Sequence, residues 1–175
     1  MNPPSPPPLP PLERLQALLF DAARLGRDDM IAPLLQAGAD LEARNEKGHT
    51  ALILASYNGN ASTTALLLEH GAAVNAPDAG RGNTALMGVA FKGYEAIARL
   101  LIEAGAEIDQ RNQAGQTALM NATIFGHAAI VDQLLAGGAD PLATDAGGNS
   151  PASLAASQSN AAMTERIARA AAPLD

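Results

Sequence analysis

The feature that most constrains this chain is a short phrase that recurs at a fixed interval. Gly48-His49-Thr50-Ala51-Leu52 returns as Gly82-Asn83-Thr84-Ala85-Leu86 and as Gly115-Gln116-Thr117-Ala118-Leu119, then in degenerate form as Gly148-Asn149-Ser150-Pro151-Ala152. The four opening glycines lie 34, 33 and 33 residues apart. A closing phrase of the form Leu-Leu-x-x-Gly-Ala, with Ile102 for the second leucine in one copy, ends at Gly38-Ala39, Gly71-Ala72, Gly105-Ala106 and Gly138-Ala139, with its glycines 33, 34 and 33 residues apart. Self-similarity at this period marks a solenoid, in which each unit buries its apolar face only against its neighbours.

The period and both phrases resemble the ankyrin repeat, a turn followed by two antiparallel helices, the first opened by Thr-Pro-Leu-His-x-Ala. The resemblance runs from Leu12 to Ala172. It departs from the motif systematically: the proline survives only as Pro151, with Ala51, Ala85 and Ala118 in the other copies. Ile53, Met87, Met120 and Ser153 replace the histidine. The fold implied is an all-α ankyrin-repeat solenoid of about five helix-turn-helix repeats with short turn hairpins. Its expected repeats are residues 12–44, 45–77, 78–111, 112–144 and 145–172, behind a proline-rich tail at residues 1–11.

Composition narrows the function. Hydrophobic residues make up 47% of the chain but aromatics only 3%, which suits thin stacked helices. A formal net charge of −7 argues against a phosphate-backbone ligand, so no nucleic-acid partner is expected. No stretch is apolar for long enough to span a bilayer. The start, Met1-Asn2-Pro3-Pro4-Ser5, lacks the basic and apolar segments of a secretory signal. A cytoplasmic location is therefore expected, with an already processed secreted chain as the alternative. The absence of cysteine removes disulfides and thiolate metal ligands.

Local signals place the elements. Pro3 to Pro11 holds seven of the twelve prolines and reads as extended polyproline II, a solvated tail in preference to a ligand for an aromatic groove. Leu12, Leu15, Leu19 and Ala23, with Phe20 beside them, form the first helix, which Gly26 ends. Asp28 and Asp29 open the second, and Pro33 kinks it rather than breaking it. This pair lacks the Gly-x-Thr opening and reads as the amino-terminal cap. Thr50 and Ser150 fall where a helix N-cap hydroxyl is useful. Thr63-Thr64 stands where later copies have Ile97-Ala98 and Ile130-Val131. A hydroxyl there is expected to bond a carbonyl one turn back, leaving that helix the weakest and Thr63→Ile stabilising. One extra residue in Asn75–Arg81 is either drift or a re-aimed contact loop, and drift is the preferred reading.

No nucleophile stands with an attendant base, and His49, His70 and His127 share no metal-ligand spacing. No catalytic residue, metal site or cofactor is expected, and the chain does not read as an enzyme. His127, following Gly126, is read as structural; His49, in a turn, is the histidine allowed a binding role.

The ankyrin resemblance implies protein–protein interaction through the turn tips and the ends of the first helices. Carried onto this sequence, that face comprises Arg44, Glu46, Lys47, His49, Tyr57 and Asn58, then Arg81, Asn83, Phe91 and Lys92, then Arg111, Gln113, Gln116, Ile124 and Phe125. Five of the eleven basic residues gather there, which suits a protein partner with an acidic surface. Tyr57, Phe91 and Phe125 precede Gly59, Gly93 and Gly126 and are expected to form an aromatic ladder, in the groove by preference over the core. The expected function is a monomeric, non-catalytic interaction module. The alternative, from resemblance to small bacterial ankyrin proteins, is an accessory of a redox or stress enzyme such as a catalase.

Overall fold

A computed structural model describes residues 10–172. The expected proline-rich extended tail falls almost wholly on residues 1–9 and so lies outside the described residues. Ten helices follow among the described residues. They are α1 (Leu12–Leu25), α2 (Asp28–Gln36), α3 (Ala51–Tyr57), α4 (Ala61–Glu69), α5 (Ala85–Lys92), α6 (Glu95–Glu103), α7 (Ala118–Ile124), α8 (Ala128–Ala136), α9 (Pro151–Ser157) and α10 (Ala161–Ala171). They form five helix-turn-helix pairs, and no strand occurs among the described residues.

A hydroxyl starts each regular pair. Thr50, Thr84, Thr117 and Ser150 stand in extended backbone, and each side-chain oxygen accepts from the N–H three residues ahead. That satisfies one of the donors a helix start leaves open. Ser153 completes the last cap by accepting from the Ser150 N–H at 2.9 Å, and Pro151 takes the first helical position. Pro33 lies inside α2 without ending it, since Ala37 still donates to the Pro33 carbonyl at 3.0 Å.

The first helices stop at glycines that the next repeat packs against. Gly93 has φ of +82°, and a Cβ there would meet the His127 ring at 2.6 Å. His127 Nε2 lies 3.1 Å from the Phe91 carbonyl, which only accepts, so that nitrogen donates and caps the end of α5. Asn60 does the same two repeats earlier, donating to the Ala23 and Arg24 carbonyls at 2.9 and 3.0 Å. His127 is thus structural, as its sequence position suggested.

The pairs stack in two rows. α1, α3, α5, α7 and α9 pack successively, with α2, α4, α6 and α8 behind them. Between the rows lies one core, in which Leu19, Leu52, Leu86 and Leu119 meet Ile31, Leu67, Ile97, Leu101, Ile130 and Leu134. Each such side chain contributes about 1.5–3 kcal/mol on burial. Buried Ala51, Ala55, Ala85, Ala90, Ala118 and Ala122 belong to the first helices. Small side chains there leave room for the inner row to close up, which explains a core with so few rings.

Two local readings need correction. Thr64 does bond back one turn, to the Asn60 carbonyl at 2.8 Å. Thr63 does not: fully buried, its hydroxyl donates across the repeat boundary to the Asp28 carboxylate at the start of α2. The inserted residue is not silent either. In the other tips one Asx oxygen holds two backbone N–H groups, as Asn45 does for Lys47 and His49. In the longer tip, Asp78 takes Gly80, Arg81 and Gly82 on Oδ1 and Asn83 on Oδ2, at 2.6–3.3 Å. Partial burial pushes its carboxyl up, but the N–H groups of Arg81, Asn83, Gly80 and Gly82 outweigh that and hold it below the usual carboxylate range.

Candidate functional site

The inner row and the tips line one open trough that extends from Leu12 to Phe125. Its volume of ≈ 1580 Å³ exceeds the roughly 300–1,000 Å³ of small-molecule pockets, so it suits a chain segment or a helix. The tips along one edge form a continuous rim. Ala79 N–H donates to the Gly48 carbonyl at 3.1 Å, Gln113 N–H to Arg81 at 2.9 Å, and Ala146 N–H to Ala114 at 2.9 Å.

Three rings line this trough. Tyr57, Phe91 and Phe125 are 43%, 40% and 48% exposed, so they are groove residues and the core is filled without them. The Tyr57 and Phe91 centroids are 6.3 Å apart with planes at 15°, and Phe91 meets Phe125 edge-on at 4.4 Å and 68°. The change of geometry follows from register: Phe91 lies within α5, whereas Phe125 is the residue just past α7. Ile124, half-buried, also lines the trough. Gly88, midway along α5, gives the Tyr57 ring its room, since a Cβ there would meet that ring at 3.3 Å. The Lys92 ammonium lies 5.2 Å from the Tyr57 centroid and 5.8 Å from that of Tyr94, within cation–π range.

The remaining expected residues divide by what already holds them. Glu46, Lys47, His49, Asn58, Arg81, Asn83 and Gln116 line the trough, and Gln113 joins Arg81 in a small recess between two tips. Asn58 and Asn83 are partly engaged, Asn58 donating to Leu54 and Asn83 accepting from Asn112. Arg44 Nη1 donates to the Gly48 and Pro77 carbonyls, and Arg111 Nη1 to the Thr144 carbonyl at 2.6 Å. Both guanidiniums therefore tie one tip to the next. Of the five cations gathered by the sequence reading, Lys47, Arg81 and Lys92 have no hydrogen-bond or ion-pair partner for their side chains among the described residues. Glu13, Asp21, Glu46 and Asp78 share the trough, so its charge is mixed.

Sequence reasoning overlooked α1. Gln16, Phe20 and Arg24 all line the trough. Their four-residue spacing, which puts them on one helix face, was the available signal. Among the described residues no group of three or more His, Asp or Glu side chains converges in a way that would hold a metal ion, and no helix is long and apolar enough to cross a membrane.

Comparison with known proteins agrees with this geometry. The family model for ankyrin repeats (three copies) matches residues 19–112 and again 86–172. An ankyrin repeat protein of Pseudomonas aeruginosa is 48% identical over 48 residues, 27% of this chain and 28% of its own length. Human mitochondrial disaggregase is 40% identical over 62 residues, 35% of this chain but 9% of its own length. An ankyrin repeat-containing protein of Treponema pallidum is 38% identical over 60 residues, 34% of this chain and 20% of its own length. The chain thus matches less than a third of each relative's length. Five stacked helix pairs in phase with the sequence period, matched by that model across 19–172, place the chain in the ankyrin repeat family.

Proposed function

We propose that this chain is a monomeric, cytoplasmic, non-catalytic binding module that holds one protein partner in its trough. Ankyrin repeats generally mediate protein–protein interaction, and the family is generally non-catalytic. The observation that carries the reading is the exposed run of Tyr57, Phe91 and Phe125. Rings that the core does not need, lined up over three consecutive repeats, are what a partner's apolar side chains pack on.

The partner's charge follows from which cations are unoccupied. Lys47, Arg81 and Lys92 offer sites for carboxylates, whereas Arg44 and Arg111 are committed to backbone carbonyls. The acidic residues in the same trough disfavour a uniformly acidic partner. The surface that fits is an apolar segment flanked by a few carboxylates. A catalase or other stress enzyme gains no particular support from these residues.

Capture of partners by the tagged full chain, with and without Phe91→Ala, tests the reading. A ring at an interface hot spot is worth about 2 kcal/mol or more, roughly thirty-fold in Kd. The same proteins should come down with the native chain and be lost with Phe91→Ala. Equal recovery on both would remove the strip from the binding surface.

A further inference from the structure

The rim of the trough is built differently at one seam, between the tips at 78–83 and 112–116. Six residues past the closing glycines of successive repeats stand Arg44, Pro77 and Arg111. Arg44 reaches the Pro77 carbonyl and Arg111 the Thr144 carbonyl, each tying its tip to the next. Pro77 has no side-chain donor, so no guanidinium makes that tie at the middle seam. The small recess lined by Arg81, Asn112, Gln113, Ala114 and Gln116 lies there. Its volume of ≈ 380 Å³ is at the small end for a ligand pocket.

The recess presents donors on a fixed frame. The Arg81 main chain is held on both sides, its N–H donating to Asp78 at 2.6 Å and its carbonyl accepting from the Gln113 N–H at 2.9 Å. Asn112 Oδ1 accepts from the Ala114 and Gln116 N–H groups at 3.0 and 2.9 Å. Its amide nitrogen therefore faces Asn83 Oδ1 at 2.9 Å and Gln116 Oε1 at 3.1 Å. Gln116 thus has its oxygen turned to Asn112 and its NH2 group left over. That group, the Gln113 side-chain amide and the exposed Arg81 guanidinium have no hydrogen-bond or ion-pair partner among the described residues.

We propose that this recess binds one side-chain carboxylate, from an Asp or Glu of the partner held in the trough. A guanidinium fork with two primary amides beside it matches the two planar oxygens of a carboxylate. The lining carries one positive charge and no acidic group, and the Asp78 carboxylate lies behind Arg81. That balance suits a monoanion and disfavours a phosphate dianion. Arg81, Asn112 and Gln116 line the trough as well, so a segment lying there passes the mouth of the recess. The occupant is the partner proposed above, and to that extent the assignment rests on that reading.

Titration of the isotope-labelled full chain with N-acetylglutamic acid α-amide, which carries one side-chain carboxylate, tests the recess without a partner. The Arg81 Nε–H and the Gln113 and Gln116 side-chain amides should shift together and saturably, ahead of any response at Lys47 or Lys92. The neutral glutamine counterpart should leave them in place, and inorganic phosphate should move them less. Arg81→Gln retains the main-chain bonds, so it should abolish these shifts with the rest of the spectrum unaltered. Shifts spread evenly over the exposed cations, a stronger response to phosphate, or none at Gln113 and Gln116 would overturn the assignment. With a captured partner, Arg81→Gln should weaken binding about tenfold, and an unchanged Kd would overturn it too. The trough reading fails separately: capture indifferent to Phe91→Ala removes the aromatic strip and leaves the titration of the recess as it was.

Discussion

Thr63 shows at residue scale how a repeat stores a contact that its own copy does not reveal. The hydroxyl is legible as a break in an apolar stripe, and the sequence reading expected isoleucine to improve the site. Its partner, Asp28, belongs to the preceding repeat, and pairing across a boundary leaves no local signal. Thr63→Val should therefore lower stability by about 1–2 kcal/mol, the cost of leaving the carboxylate without its donor. Thr63→Ile should not recover it, because the position is fully buried and an added methylene overpacks it by about 1–3 kcal/mol. Denaturant midpoints check both, and a second substitution, Asp28→Ala, should cost less in the Thr63→Val background than alone. Asp78 makes a pH-dependent counterpart. Its carboxyl is held below the usual range, so its stabilisation is present above the unfolded pKa, near ~3.9, and is lost as pH falls through the folded value. Asp78→Asn should destabilise at neutral pH, by no more than about 1–2 kcal/mol, because the Asn83 N–H loses its acceptor. It should also flatten the acid limb of the stability curve, and an unchanged limb would show that Asp78 does not couple there. The caps at Thr50 and Ser150, by contrast, were readable outright, because a cap and its N–H lie three residues apart.

At the scale of elements, the aromatic positions were legible because they recur with the period, and the environment of the rings was not. Periodicity places Tyr57, Phe91 and Phe125 at equivalent helix ends but cannot tell an inward face from an outward one. Alanine settled that: buried Ala55, Ala90 and Ala122 occupy the helix faces that rings would have filled. The ring of Phe91 nonetheless touches two others, so Phe91→Ala is not neutral. Aromatic pairs contribute about 0.5–1.5 kcal/mol each, and the expected loss is about 1–2 kcal/mol, well under the roughly 3–5 kcal/mol of a core phenylalanine. Thermal unfolding of the variant separates the two cases. The share of α1 in the trough was missed for a related reason. Lacking the recurring phrase, α1 read as part of the amino-terminal cap; it is the first helix of the stack among the described residues, and Gln16, Phe20 and Arg24 also carry the trough past the first regular repeat. Arg44 and Arg111 were placed correctly on the tips, but their carbonyl partners lie one repeat onward and only the fold brings them together.

For the whole molecule, the period decides the architecture because each pair contacts its neighbours in a line. One consequence is that the two rows face different surroundings. The inner row and the tips hold the trough, while α2, α4, α6 and α8 form the back of the stack. Recognition by the trough must therefore protect one row and spare the other. Hydrogen exchange of the full chain, alone and with a partner recovered by capture, measures this directly. The account predicts slowed exchange at the carboxyl-terminal turns of α3, α5 and α7 and at the tips around Lys47 and Arg81, with α4, α6 and α8 unchanged. Protection confined to α4, α6 and α8, with the Tyr57, Phe91 and Phe125 amides exchanging as in the free chain, would contradict it.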